Sequence, residues 1–386
     1  MKIAIAPDSF KDALRAIKVV SRIAGGLRSV VGEIEIEIDE CPIADGGEGF
    51  TEAIAFNNPL ANHCSTRYTN DPLDRVIENM PWIMLRDIQG NPHTAVIELA
   101  TASGLELLSP KERNPMCTST FGTGRMIADA IEKGAKHVLL GVGGSATNDA
   151  GIGIALALFV CLKNHKGKIF FKEQMNGGIL EKIAEVLPGS ILSNEGVSIT
   201  VACDVTNPLT GPNGAAHVYA PQKGATPEQV EQLDAGLRHM AQLWRDQLGI
   251  DVEDMPGAGA AGGVGGGLVA MLGAELVPGA DLVLDTIGFD ERIKDADLVI
   301  TGEGRLDSQS LNGKAAMAVA RRCQKAGVPC VALVGSVGEG AEQSLDHGLS
   351  AYHVIGEGLS AEESIRRTGE LLEQAAMKLA QERLLK

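Results

Sequence analysis

The stretch "LVITGEGRLDSQSLNGK" at residues 298–314 carries more charge than a turn needs. An apolar run leads into Gly302, Glu303, Gly304, Arg305 and Asp307, and the segment closes on Gly313 and Lys314. Carboxylates can hold a divalent ion, and a planar guanidinium can clamp a carboxylate or a phosphate; phosphoryl transfer requires both. The segment is not a Walker A loop, because Gly313-Lys314 lacks the correctly spaced upstream glycine and the Ser or Thr that follows.

Further stretches have a similar character. "PDSFKDAL" sets Asp8, Ser9 and Lys11 directly after an apolar run, where a helix N-cap at Asp8 or Ser9 explains the residues as well as a phosphate contact does. In "IADGGEGFTEA", Asp45 and Glu48 straddle glycines at the start of a helix. Complementing the helix dipole explains part of this, but a turn needs one glycine rather than three, so something approaches the backbone closely. "LLGVGGSATNDAGIG" offers Gly143 and Gly144 with donors at Ser145, Thr147 and Asn148 and an acceptor at Asp149, either a backbone-amide cradle for an anion or a tight structural turn. Asp204 ends the apolar "TVAC" just before turns forced by Asn207-Pro208 and by residues 211–214, a position suited to a general base, a metal ligand or a loop brace.

"PGAGAAGGVGGGL" matches G-x-G-x-x-G at Gly257, Gly259 and Gly262, yet the polar "DVEDMP" stands where a dinucleotide fold needs an apolar strand. A glycine loop over nucleotide phosphates or close helix packing fits this stretch better. None of the eight histidines lies in a glycine-rich strand-end turn, and His217 reads as structural. With no G-x-S-x-G elbow and no H-x-x-x-H pair, hydrolase and zinc chemistry fall in rank.

The elements that must position these residues follow from patterning. Short aliphatic runs feed glycine-bearing turns and then helical periodicity: "KIAIA", "HVLLGV", "DLVIT" and "CVALVG" all do so. Strands apolar on both faces and alternating with helices belong to a parallel sheet covered on two sides, so the class is α/β and its ligands sit beyond the carboxyl ends of the strands. "STRYTNDPLDRVIENMPWIML" and "GNPHTAVIELA" alternate polar and apolar residues around turn signals, which predicts antiparallel hairpins. Strand rhythm resumes after about residue 290, so two domains are expected: residues 1–60 with 290–386, and an insertion at 61–289 of mixed α/β type.

With 386 residues, 44% of them hydrophobic, the chain can bury a core, while a net charge of −16 and only 3% aromatic residues argue against a nucleic-acid partner. Seven cysteines without a CxxC pair read as reduced thiols. Asp8 and Lys11 interrupt the signal-peptide pattern, and no apolar run is long enough for a bilayer, which points to the cytoplasm and away from a membrane.

Taken in order, "IAPDSFK", "ADGGEG", "GGSATNDAG", "ACDVTNPL", "PGAGAAGG" and "TGEGRLDSQS" closely resemble the bacterial glycerate kinase family from residue 2 to about 357. The resemblance implies phosphorylation of D-glycerate by ATP with Mg²⁺, giving 2-phosphoglycerate in relatives of the glyoxylate, glucarate and galactarate pathways. It also implies a flavodoxin-like domain from both chain ends, a second α/β domain inserted into it, and an active site in the cleft between them. Departures from the family pattern are "NDPLD" at 70–74 in place of a Gly-Pro-Leu-Gly turn, Arg125 for Glu, Ala150 for a glycine, and "GKAAMAVA" without a proline.

On this resemblance Arg305, with Lys11, holds the glycerate carboxylate, and Asp204 or Asp45 takes the hydroxyl proton. Asp307 or Glu303 assists Mg²⁺, and the loops at 143–148 and 257–263 donate N–H groups to phosphate. Asp8, Ser9, Glu48, Gly302 and Gly304 complete the expected binding set, and association into a homo-oligomer is left open. Rival expectations are transfer to the 3-hydroxyl, a nicotinamide-dependent hydroxy-acid dehydrogenase using the 257–263 glycines, and a non-catalytic metabolite sensor.

Overall fold

The computed structural model describes residues 1–30, 36–172, 175–187, 189, 192, 195–312 and 314–383; Gly313 lies outside them. The chain forms two compact units, one of Met1–Asp45, Glu52–Pro59 and Pro278–Lys386, the other of Gly46–Thr51 and Leu60–Val277. Strands β1 (Lys2–Pro7) and β2 (Glu37–Glu40) open the first unit. The second holds β3 (Asn62–Asn70), β4 (Val76–Arg86), β5 (Pro92–Glu98), β6 (His137–Gly141), β7 (Cys161–Asn164), β8 (Ile183–Leu187), β9 (Ser198–Ala202) and β10 (Glu275–Val277). The first then resumes with β11 (Leu298–Leu306), β12 (Cys330–Val337) and β13 (Ala351–Val354).

The first unit is a wholly parallel sheet in the order β13-β12-β11-β1-β2. Numbered within the unit, this is the 2-1-3-4-5 flavodoxin-like order. Side-chain alternation divides the sheet: Ile3, Ile5, Leu298, Ile300, Val331 and Leu333 pack with the helices Ala16–Val30 and Ala361–Arg383. The first helix presents Val19, Val20, Ile23 and Leu27 at helical spacing. A Cβ on Gly26 would come within 2.4 Å of the Glu373 carbonyl oxygen, so glycine lets the two helices touch through their backbones.

Two expectations about local structure are corrected. Asp8 and Ser9 do not cap a helix, because a tight turn closed by mutual Phe10 and Leu14 backbone hydrogen bonds intervenes and the helix starts at Ala16. Residues 302–306 are not a turn either, since β11 runs on through Leu306, with Glu303 opposite Val334 and Arg305 opposite Ser336. Its glycines serve spacing rather than turning. A Cβ on Gly302 would meet the Leu333 carbonyl oxygen at 2.4 Å, and one on Gly335 the Gly304 carbonyl oxygen at 2.6 Å.

The second unit contains a mixed sheet, β10-β9-β6-β5-β4-β3, in which β10, β9, β6 and β5 are parallel while β3–β4 and β4–β5 are antiparallel, the hairpins that alternation predicts. Trp82, Met84, Ile97, Val138 and Leu140 share a core with the helices Phe121–Glu132 and Ala260–Leu272. A second core joins the β7–β8 ribbon to the helix Pro227–Leu248. Two of the departures from the family pattern at glycine positions, Asp74 and Ala150, have φ of +63° and +55°. The left-handed backbone that glycine favours is thus kept here by other residues.

In the first unit, Arg322 of the helix Ala315–Ala326 holds three carboxylates: Asp281 at 3.0 Å, Asp285 at 2.7 Å and Asp290 at 2.9 Å. These aspartates lie on or beside the helices Gly279–Thr286 and Phe289–Ile293, which the arginine ties down. Arg322→Ala is expected to lower the unfolding free energy by about 1–2 kcal/mol, between an exposed pair and a buried one. Urea midpoints of the wild type and the variant check this.

Candidate active site

In the first unit three neighbouring strand ends deliver three carboxylates. β1 stops where Pro7 pairs with Gly302, and Asp8 follows, its N–H donating to the Gly302 carbonyl oxygen at 2.9 Å. β2 is extended by Cys41 N–H to Ile5 O and Ile43 N–H to Pro7 O, which leads to Asp45. β11 continues past the end of β1 and presents Glu303, only 6% exposed.

Asp8 and Glu303 bind their protons more tightly than usual here. Burial lifts the Asp8 carboxyl well above its ordinary value and Asp45 and Glu303 add to this, while hydrogen bonding with Ser9 opposes it. Burial likewise pushes Glu303 up to about 7, with Asp307 and Asp45 contributing and Ser310 and Lys314 opposing. Its Oε1 is buried and without a hydrogen-bond partner among the described residues.

Asp307 behaves differently. Desolvation works against its charge, but hydrogen bonds from Arg305 and the Gln309 N–H, with Lys314 nearby, hold its carboxyl below the usual range. Arg305 Nε lies 3.0 Å from Asp307 Oδ2 while the guanidinium stays largely in solvent. Gly338 packs on this pair, and a Cβ there would come within 2.9 Å of both. Lys11 is exposed, and its backbone nitrogen lies beside Gly304. Among the described residues no three His, Cys, Asp or Glu side chains are grouped as a metal site. Any divalent ion there would rely on one or two carboxylates plus water and phosphate oxygens, the habit of Mg²⁺.

The second unit gathers its own loops at the carboxyl ends of β6 and β9. A Cβ on Gly143 would lie 2.5 Å from Gly47 Cα, and one on Gly46 would lie 2.9 Å from the Ala202 Cβ, so the 46–47 loop lies against both strand ends. Glu48 is exposed, while Glu98 accepts from the Thr51 N–H and hydroxyl, each at 2.9 Å. Asp204 stands two residues beyond β9, with its Oδ2 buried.

The glycines at 257–263 are occupied by protein. A Cβ on Gly259 would meet the Pro208 carbonyl oxygen at 2.3 Å, and one on Gly262 the Thr147 carbonyl oxygen at 2.1 Å. Gly259 N–H donates to Asn207 O, and Ala260 N–H to Gly257 O. This packing supports the close-packing reading, with carbonyl oxygens standing where side chains would be. A dinucleotide site is disfavoured, since residues 249–258 before the match form no strand.

Gly143, Gly144, Ser145 and Asn148 lie in the connection from β6 to the short helix Ile152–Ala157. Lys223, which sequence reasoning overlooked, sits behind it. Its Nζ donates to Ser145 Oγ and to the Thr147 carbonyl oxygen, both at 2.7 Å. The lysine is fixed by the single turn Pro221–Lys223 and by Gly224, whose φ of +93° places its Cα against the Arg113 carbonyl. In "APQKGA" nothing marks Lys223 apart from a surface lysine except the apolar Ala220 and Ala225 around the turn.

Burial pushes Lys223 down to about 7, with the Asp149 carboxylate opposing. Asp149 is itself raised by burial and partly relieved by hydrogen bonds from the Thr120 N–H and hydroxyl and the Gly151 N–H. Both amide atoms of Asn148 and the Thr147 hydroxyl are buried without a hydrogen-bond partner among the described residues.

Strand ends bearing carboxylates in one unit, and a glycine-rich turn backed by a buried lysine in the other, mark an α/β enzyme. The model of the glycerate kinase family matches residues 3–384, so the chain belongs to the glycerate kinase family and is a phosphotransferase. It is 42% identical to a glycerate kinase of Halalkalibacterium halodurans, covering 98% of this chain and 97% of the relative. It is 41% identical to the glycerate 2-kinase of Escherichia coli K12, covering 92% and 90%. The crystal structure of a Salmonella typhimurium LT2 protein assigned as glycerate kinase 2 superposes with a TM-score of 0.84 at 38% identity, over 98% of this chain and 97% of that one.

Lys223 gives a pH signature. Its folded pKa of about 7 lies below the ordinary 10.5, so between those values the unfolded chain binds more protons and stability rises with pH. Urea midpoints of the wild type should climb across that window, and Lys223→Met should flatten the climb.

Proposed function

We propose that this chain transfers the γ-phosphoryl group of ATP to the 2-hydroxyl of D-glycerate, releasing ADP and 2-phosphoglycerate. The observation that carries this reading is the set of strand-end carboxylates, half-buried Asp8 and Asp45 with buried Glu303, in a chain of the glycerate kinase family. The hydroxyl oxygen forms the new bond to phosphorus, the bond to the bridging oxygen of ADP breaks, and the hydroxyl proton passes to Asp204 or Asp45. Arg305, with Lys11, holds the glycerate carboxylate, its guanidinium exposed and pre-oriented by Asp307. The 143–148 turn receives phosphate oxygens.

The carboxylate set fits a divalent ion, since a cation would relieve both the mutual repulsion of Asp8, Asp45 and Glu303 and the unpartnered Oε1 of Glu303. Mg²⁺ when bound supplies charge neutralisation to the phosphate oxygens. Glu303 is favoured over Asp307 as its holder, because Asp307 is committed to Arg305 and to its own turn. The remaining work is positioning, which several residues share. A cytoplasmic setting is supported by seven free cysteines and by the absence, among the described residues, of a helix long and apolar enough to cross a membrane.

Release of ADP on mixing the chain with D-glycerate, ATP and Mg²⁺, followed by phosphorus NMR of the product, tests the reaction and its position. A signal for the 3-phosphate would reassign the acceptor hydroxyl, and no ADP would overturn the reading. Arg305→Ala should raise the KM for glycerate at least about ten-fold, whereas a change confined to the KM for ATP would move the arginine to the nucleotide. Asp204→Asn should cost roughly 10²–10⁴ in kcat if Asp204 is the base. Full kcat in that variant would leave Asp45.

A further inference from the structure

Lys223 is a cation with 2% exposure in a chain that spends most of its lysines on the surface. Burying an ammonium costs several kcal/mol unless partners repay it, and a neutral residue would have avoided the cost. Its two hydrogen bonds both go to the β6 turn, one to a side chain and one to a carbonyl. The serine bond has a direction. An ammonium can only donate, so Ser145 Oγ is the acceptor and the serine's own proton is left to point elsewhere. Ser145 is 8% exposed, its neighbour Gly144 lies at the surface, and Asn148, next but one along the turn from Ala146, keeps both amide atoms buried without a partner among the described residues. Each unsatisfied atom of this kind costs about 1–3 kcal/mol. A serine proton, an amide and a cation behind them make a constellation for an oxygen anion.

We propose that Lys223 is a positioning residue that acts through Ser145: by donating to the serine oxygen it aims and strengthens the serine O–H as a donor to an oxyanion of the bound reactants, and Asn148 completes the grip. This rests on the kinase reading for the identity of the reactants. The chemistry recognised is an anionic oxygen, and its source is either the carboxylate of glycerate or a phosphate of the nucleotide. The ammonium form does the aiming, so the grip should weaken as Lys223 loses its proton above pH about 7. Asp149 is the titratable group that faces it; Arg113, whose carbonyl packs on Gly224, is the charged residue on the adjoining loop.

Isothermal titration of the full chain with D-glycerate alone and with ADP alone separates the two sources without turnover. In Lys223→Met one of the two affinities should fall ten-fold or more while the other stays within two-fold, and the ligand that loses identifies the source. Ser145→Ala should lose a similar factor on the same ligand, and the double variant should lose little more, because the two residues act as one. Lys223→Arg, which keeps the charge, should restore part of the affinity. Unchanged affinities, equal losses on both ligands, or additive losses in the double variant would overturn the proposal. Should Lys223→Met not fold, the wild type is compared with Ser145→Ala between pH 6 and 9. The advantage of the wild type should shrink at least three-fold as pH rises, and a constant advantage would overturn it. A wild type that binds but releases no ADP from D-glycerate and ATP would sink the kinase reading while leaving this grip standing.

Discussion

Parallel register is the constraint on which the first unit's chemistry depends. Three carboxylates that repel one another, Asp8, Asp45 and Glu303, are brought to one edge because β2, β1 and β11 run in the same direction, with Glu303 on the stretch of β11 that outruns β1. No local preference would assemble them, and burial makes the repulsion worse. The hydrogen-bonded ladders, with Ile3, Ile5 and Ile300 packed beneath, supply the opposing free energy. A site held under repulsion is one in which a cation would have something to relieve, and burial first, with neighbouring carboxylates adding to it, raises the proton affinities of Asp8 and Glu303.

Glycine serves two purposes in the chain. At Gly46, Gly224 and Gly262 the backbone takes positive φ, which other residues adopt only at a cost. At Gly143, Gly302 and Gly335 the need is room: a neighbouring backbone stands where a Cβ would be. The distinction explains why the 257–263 motif misleads as a nucleotide fingerprint. Its glycines answer carbonyl groups of the same unit, so the pattern records packing density and says little about a ligand.

The α/β class, the parallel sheet and the β3–β5 hairpins were legible because they rest on periodicity, which one sequence displays fully. The carboxylates were legible for a related reason, since residues directly after apolar runs lie at strand ends. Two things were hidden. The length of β11 was one, because "GEGRL" has turn composition and pairing with β12 as far as Leu306 keeps it extended. The other was Lys223, since burial of one lysine is decided by which loops close over it, and "APQKGA" carries no trace of the β6 turn 76 residues earlier that it meets. The short connection Pro221–Lys223 and the left-handed Gly224 are visible in sequence as a turn, but not what the turn encloses.

Lys223 and Asp149 also show how the second unit tolerates charge inside. Each is buried, and each is made more costly by desolvation than by anything else near it. Asp149 is relieved by donors from Thr120 and Gly151, so its charge is spread over backbone and hydroxyl groups fixed by the helix starts at Phe121 and Ile152. Lys223 donates to two acceptors among the described residues, and an ammonium offers three donors. The pair is therefore unevenly satisfied: the carboxylate is anchored as structure, while the ammonium is held with hydrogen-bonding capacity in reserve beside a turn whose Thr147 hydroxyl and Asn148 amide lack hydrogen-bond partners among the described residues.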